Sequence, residues 1–387
     1  MMPPRPADPS EDVRPQLDNL TLSRKEGLRA LAEAELRRQP ELLTAKQISD
    51  LSDPARLEYE HGRSVWHANL GPIGTPQLKE LHEDLWDIIT SNQQDGDKAK
   101  GAIAVDAFPG LGKTTAVLDF ALKYHRQEIA RAGAFTASGH ERWPVCRVGL
   151  TSNIGMKDFN RSLLEFYAHP GRTSGTAALF VQRALDCVLR CETKLLIIDD
   201  LHFLKWQDKN GKEVSNHFKY IANEFPVTLI FIGVELGNRG LYSEADSSGD
   251  ITLAQSARRT TPLTMDPFVV NDNRHRTQWR NLLLALEQRI VLARKFPGML
   301  ADELSDYLYI RTTGHIGSLM TLINRGCQRA ARTGAELLDE ELLDQVKLDA
   351  AAERARNALA KKFALRRMTT KITRPRTSKT TTTKTVA

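Results

Sequence analysis

The sequence predicts an α/β protein: a parallel sheet flanked by helices, followed by a smaller all-helical region. Three observations predict it. From residue 101 onward, short apolar runs alternate with amphipathic helical stretches, the pattern of strands joined by crossover helices. A glycine-bearing loop at residues 108–112 separates the first apolar run from a helical stretch. Beyond residue 270 no strand pattern survives, and only helical periodicity remains.

Residues 1–20 are Pro-rich and charged, so they are expected to be unstructured. Ser23 and Glu26 form a capping-box pattern and predict a helix that ends before Pro40; Thr44 with Gln47 repeats the signal, and Asp53-Pro54 opens a further helix with Pro at its first position. Residues 21–74 are therefore expected as a helical N-terminal extension. Thr75-Pro76 starts a segment in which Leu78, Leu81, Leu85, Ile88 and Ile89 share one helical face, and it leads into an α/β domain over 75–270. Strands are expected at Ala102–Val105, Val145–Leu150, Leu195–Asp199 and Val227–Ile232. Helices are expected after Lys113, at Phe159–Phe166, at Ala177–Leu189 and at Val214–Asn223. A helical lid follows over 271–360, with helices at Arg274–Leu292, Ala301–Arg311, Ile316–Ala331 and from Leu338 towards Phe363.

With 387 residues, 41% of them hydrophobic, the chain can bury a large core. Its longest apolar runs fall far short of the roughly 20 residues of a membrane span. The first fifteen residues carry neither an apolar signal core nor a basic amphipathic pattern, so a cytoplasmic protein is expected. Four scattered cysteines predict buried thiols rather than a disulfide framework or a zinc site. The net charge of +6 is a property of one end: residues 361–387 hold nine Lys or Arg and no acid, leaving −3 for the rest. That segment is expected to be a disordered basic tail, suited to tracking phosphates or an acidic partner.

Residues 104–115, AVDAFPGLGKTT, place an apolar strand, a glycine loop and a helix start in the order of a phosphate-binding P-loop. Gly110 and Gly112, with Leu111 between them, permit the turns that aim the backbone N–H groups of Gly110–Thr115 at phosphates, and Pro109, which has no N–H, opens the binding loop. Lys113 is expected along the β and γ phosphates of ATP, the Thr114 hydroxyl on Mg²⁺, and the Thr115 hydroxyl near the α-phosphate. The usual pattern has Gly where this chain has Ala107. Far downstream, Leu195-Leu-Ile-Ile-Asp-Asp-Leu-His202 reads as a buried strand ending in two carboxylates, Asp199 for Mg²⁺ and Asp200 for orienting or polarising water. Asp200 is one methylene shorter than the Glu common at that place, which predicts slow hydrolysis.

The motifs PGLGKTT, LLIIDDLHFL and VTLIFIGVE, with the lead-in HANLGPIGTPQLKELHEDL and the late segment TTGHIGSLMTLINRGCQRA, resemble the AAA+ superfamily, and within it the transposon-encoded TniB and TnsC regulators; the IDDL spelling is also similar to IstB and to DnaA-like initiators. The resemblance covers about residues 60–335. It implies an arginine finger at Arg258 or Arg259 that acts on a neighbouring subunit, and a polar sensor near Gly233-Val234-Glu235, where Val234 departs from the pattern. It also implies a lid arginine near Gly314–Gly317, where none stands and Arg311 and Arg325 are the nearest.

The resemblance further implies an ATP-dependent homo-oligomer, ring or filament, on duplex DNA that is presented to a transposase, with DNA contacts near Lys157, Arg161, Arg172 and Thr173. No base-reading motif is present, so binding is expected to be largely independent of sequence and steeply salt-dependent. A helicase loader and a signalling NTPase without DNA are the competing readings.

Overall fold

The computed structural model describes residues 17–96, 98, 100–150, 155–201, 209–237, 259–365 and 368–372. The chain divides into two compact units: a sheet unit of residues up to Leu36 with Leu81–Phe108 and Lys113–Met265, and a helical unit of Arg37–Glu80, Pro109–Gly112 and Asp266 onward.

The sheet unit is built on five parallel strands, β1 (Ala102–Asp106), β2 (Val145–Gly149), β3 (Leu195–Asp199), β4 (Thr228–Gly233) and β5 (Thr260–Thr264), in the order β2-β3-β4-β1-β5. The inner strands β3 and β4 are buried along their whole length, as strands covered on both faces must be. Register pairs Asp106 with Gly233 and Gly149 with Asp199, so the ends of β1 to β4 line up along one edge. The first four strands match the predicted runs. The fifth was not predicted: Thr-Thr-Pro-Leu-Thr is half-exposed and carries Pro262, which lacks an N–H and is tolerated because β5 is an edge strand.

Helices α1 (Lys25–Glu33), α5 (Lys113–Ala132), α6 (Met156–Phe166), α7 (Ala177–Arg190) and α8 (Lys209–Glu224) belong to this unit. The capping box expected at Ser23 is absent. Helix α1 starts from Arg24 without a side-chain cap, because the preceding chain folds back over Gly27, where a Cβ would stand 2.1 Å from the Thr21 carbonyl oxygen.

The helical unit contains α2 (Ala45–Ser49), α3 (Asp53–Ala68), α9 (Asn273–Arg289), α10 (Ser305–Thr312), α11 (Ile316–Thr333), α12 (Glu340–Asp344) and α13 (Ala350–Ala364). Helix α4 (Pro76–Ser91) runs from one unit into the other, and its predicted face is borne out at Leu81, Leu85 and Ile89. The Thr44/Gln47 capping box is present. Residues 37–80 are no separate layer, because α3 is stitched to the lid helices. Arg63 donates to buried Glu336 at 2.8 Å, the Trp66 indole donates to the Arg289 carbonyl at 2.6 Å, and the Val291 N–H donates to His67 Nε2 at 3.0 Å.

Three further expectations are corrected. The helix expected over 301–311 begins as a π turn, Met299–Glu303, whose region is held by the buried Glu287 carboxylate accepting from the Gly298 and Leu300 N–H groups. The helix expected from Leu338 is interrupted before Asp349, which caps α13 by accepting from the Ala352 N–H. The basic tail is structured at its start. Residues 361–364 continue α13, and Thr370, only 2% exposed, donates its N–H and hydroxyl to Asp306 Oδ1 at 2.7 and 2.5 Å. Residues 1–16 and 373–387, also expected to be disordered, lie outside the described residues.

Among the described residues no helix is long and apolar enough to cross a membrane.

Candidate nucleotide site

The parallel sheet lines up the ends of β1 and β3 along one edge, with β4 between them, and the site is built there. After Asp106 the chain turns through residues 107–112 into α5, whose first residue is Lys113. Gly110 and Gly112 take φ values of +80° and +79°, left-handed backbone that residues with a Cβ enter only at a cost. Ala107 takes no such φ, which removes the need for the glycine of the usual pattern. Pro109 and Gly110 are exposed, Leu111 is buried, and Thr115 lies on the exposed side of α5.

Lys113 is half-buried. Desolvation lowers its pKa, and the carboxylates of Asp199, Asp106 and Asp200 work against that shift. One turn of α5 and the end of β3 meet where the Thr114 hydroxyl donates to Asp199 Oδ1 at 3.3 Å. Asp199 is 2% exposed, and its Oδ1 also accepts from the Asp200 N–H at 3.0 Å. Asp200 itself is exposed and holds a φ of +62°, the kind of local strain that gathers at functional sites. A hydroxyl and a carboxylate converging beside a lysine form an all-oxygen donor set that fits Mg²⁺ carrying phosphate oxygens. Among the described residues no cluster of three or more His, Cys, Asp or Glu could hold a metal without such a ligand.

One residue of the site was missed in the sequence. Arg147, in the middle of β2, donates from Nη2 to Asp199 Oδ2 at 2.7 Å. A lone guanidinium inside the apolar run Val-Cys-Arg-Val-Gly of a buried sheet was the available signal, since such a charge is rarely buried without a partner.

The tip of the loop packs within the helical unit. Gly317 N–H, at the start of α11, donates to the Gly110 carbonyl at 2.8 Å, and a Cβ on Gly317 would come within 2.7 Å of that oxygen. No side chain fits at Gly317, so an arginine is sterically barred from that position. Arg311 is not a substitute: it is 1% exposed and donates to Tyr307, Asp344, Glu353 and the carbonyls of Leu343 and Val346. His315 contacts Thr313 through Nδ1 at 2.8 Å.

The remaining predicted residues are not gathered at Asp199. Arg259 precedes β5, where Thr260 pairs with Ala102, the first residue of β1; the loop follows Asp106 at the other end of that strand. Arg259 Nη1 donates to Asn223 Oδ1 at 2.8 Å. Arg258 lies outside the described residues. Glu235 follows β4 exposed, with a φ of +54°. Lys157 lies over the Phe180 ring, Arg161 has Asp158 and Glu165 at 3.5 and 3.7 Å, Arg172 donates to the His169 carbonyl, and Thr173 is exposed.

Residues 95–240 match the family described as the AAA domain. No protein of curated function matches the sequence. Among solved structures, the chain is similar to the ORC1 protein of Aeropyrum pernix in complex with DNA, at 14% identity and a TM-score of 0.51, over 77% of this chain and 69% of that one. It is also similar to Cdc6p of Pyrobaculum aerophilum (11% identity, TM-score 0.47, 76% of this chain and 82% of that one). A third is domain III of the replication initiation protein DnaA of Thermotoga maritima (16% identity, TM-score 0.43, 72% and 93%). The ORC1 likeness is one of fold. The architecture is that of a P-loop AAA+ ATPase, whose cofactors are ATP and Mg²⁺.

Proposed function

We propose that this AAA+ ATPase forms an ATP-dependent homo-oligomer on duplex DNA and delivers that DNA to a transposase, in the manner of the TniB- and TnsC-type regulators its motifs resemble. The observation that carries the assembly part is the position of Arg259, at the opposite end of β1 from the phosphate loop. Strands rise about 3.3 Å per residue, so the five residues of β1 separate the two by roughly 15 Å. An arginine there is out of reach of its own phosphate loop, which suits it to a neighbouring subunit's site. The DNA part is supported by the motif resemblance and by the fold likeness to an ORC1 protein solved with DNA.

In this reading the Gly110–Thr115 backbone cradles the phosphates, and Lys113 neutralises the β and γ groups. Thr114 and Asp199 hold Mg²⁺, and the Thr115 hydroxyl lies near the α-phosphate. Bound ATP with Mg²⁺ supplies the scissile phosphoanhydride and the cation that offsets its charge. Asp200 orients the attacking water and accepts its proton. Arg259 or Arg258 of one subunit stabilises charge at its neighbour's γ-phosphate, so hydrolysis follows assembly. Lys157, Arg161, Arg172 and Thr173 are assigned to the DNA backbone, and the protein is assigned to the cytoplasm.

Electron microscopy and gel shift with plasmid DNA, with and without a non-hydrolysable ATP analogue, test the proposal. Regular nucleotide-dependent assemblies on DNA are expected. Nucleotide-dependent oligomers that ignore DNA would instead favour a signalling NTPase, and capture of a replicative helicase in place of a transposase would favour a loader.

A further inference from the structure

We infer that the outward face of α11 is a docking surface for the phosphate backbone of duplex DNA; the choice of occupant rests on the DNA-binding reading above, while the surface itself does not. Helix α11 buries Leu319, Leu322, Ile323, Cys327 and Ala330 on its inner side. Its other side carries Arg325, Arg329 and Arg332, spaced by four and three residues and therefore in one row. Arg325 donates to the Lys347 carbonyl at 2.6 Å, which brings a fourth cation beside the row, and Arg329 donates to the Gln345 side-chain oxygen. Arg325, Arg332 and Lys347 are exposed.

What sets this row apart is that four cations lie together without a carboxylate among them. Some arginines of the same unit meet acids: Arg280 meets Asp302 at 2.9 Å, Arg356 meets Asp344 at 2.6 Å and Arg56 meets Asp53 at 3.0 Å, while exposed Arg37, Arg38, Arg274 and Arg354 are in no such pair but do not form a row on one helix. Among the described residues, none of Arg325, Arg329, Arg332 and Lys347 has a carboxylate within ion-pair distance. Nearby acids are committed: Asp344 to Arg311 and Arg356, and Asp349 to the Ser318 hydroxyl. A row of planar, always-charged donors with no carboxylate partner matches phosphate oxygens better than it matches solvent.

Length favours a nucleic-acid strand. Seven residues of helix advance about 10 Å. One strand of B-DNA presents a phosphate about every 3.4 Å along its axis, so three arginines can follow about three successive phosphates. The first turn of the same helix carries Gly317, whose N–H donates to the Gly110 carbonyl, so the helix that bears the row also touches the glycine loop.

The test uses the full chain and its variant R325Q/R329Q/R332Q, which keeps helix-favouring residues. Binding of a fluorescent duplex is followed by anisotropy across a KCl series, with a fluorescent ATP analogue confirming an intact nucleotide site. Each lost phosphate contact lowers the slope of log K against log salt by about 0.9, so a loss of about 2.7 is expected. A wild type that binds duplex and a variant with the same slope would overturn the surface alone. A wild type that ignores duplex in every nucleotide state overturns the DNA reading, and this occupant with it. Loss of binding to a polyglutamate chain with duplex binding intact would overturn the occupant in favour of an acidic protein.

Discussion

Among the described residues the sheet unit buries one charged side chain, Asp199, whereas the helical unit buries Arg63, Glu287, Arg311 and Glu336. The difference lies in where each charge sits and what could displace its partners. Arg63 is held between Glu336 and Glu60, Arg311 meets two acids, a phenol and two carbonyls, and Glu287 accepts two backbone N–H groups. These charges are met by several partners inside the unit, although the Nε atoms of Arg63 and Arg311 are buried without one, and such networks fix packing rather than perform chemistry. Asp199 sits instead at a strand end, touched by a hydroxyl, an amide and a half-buried arginine, in a place where a divalent ion can compete for its oxygens. Buried charge in the helical unit is architecture. In the sheet unit it belongs to the candidate nucleotide site.

The sharpest way to break that comparison is to remove one cation from each unit. Lys113→Ala is expected to abolish binding of a fluorescent ATP analogue while changing unfolding stability by less than about 0.5 kcal/mol, since burial already disfavours this lysine's charge. An unchanged ATP affinity would sink the site assignment. Arg63→Ala should do the reverse. It strands the Glu336 carboxylate, and breaking a buried pair costs about 3–5 kcal/mol, to be read in urea unfolding. The double variant R63M/E336L should cost much less than the single. A single variant that costs under about 1 kcal/mol would mean that the network is ornamental.

Acid probes both units at once. Burial pushes His67 in the helical unit, and His125 and His217 in the sheet unit, down to about 4 from an ordinary 6.5. Each is neutral in the fold at pH values where the unfolded chain is already protonated. Stability is therefore complete above pH 6.5 and falls as pH drops towards 4, by at most about 3 kcal/mol per histidine. Urea midpoints at pH 7, 5.5 and 4.5 check this, and His67→Gln, which removes one titrating group, should flatten the curve. A midpoint that does not move would show that the three rings exchange protons freely in the fold.

Much of the sheet unit was legible because covered parallel strands are apolar runs about five residues long, and four of the five announce themselves that way. β5 did not, since an edge strand may stay half polar and carry Pro262. The phosphate loop was legible because its chemistry is local in the chain. Thr114 and Asp199 could be paired because each is pinned to a strand or helix end. The helical unit hid more. Arg63 and Glu336 are 273 positions apart, and nothing in either neighbourhood names the other. The tail's composition argued against packing, yet one Thr hydroxyl with a carboxylate partner is enough to seat Thr370. The interruption at 299–303 follows from Glu287, whose carboxylate caps amides that no local pattern could assign to it.

Arg147 is the smallest test and the one that divides the two kinds of buried charge most finely. If its pair with Asp199 were architectural, Arg147→Met would weaken the fold as Arg63→Ala does. Arg147, however, makes one hydrogen bond, to Asp199, and its side chain is 17% exposed, whereas Arg63 makes three bonds to two acids at 1% exposure, so the loss of Arg147 should cost less stability. Removing one positive charge beside the carboxylate should then let Mg²⁺ compete more easily. The Mg²⁺ concentration needed for half-maximal binding of an ATP analogue is expected to fall about tenfold, which corresponds to about 1.4 kcal/mol and lies within the range for charges near a protein surface. A rise in the Mg²⁺ requirement would carry the opposite meaning. Arg147 would then help to hold the phosphates alongside the metal, and the sheet unit's one buried acid would be shared by two cations in the working state instead of being exchanged between them.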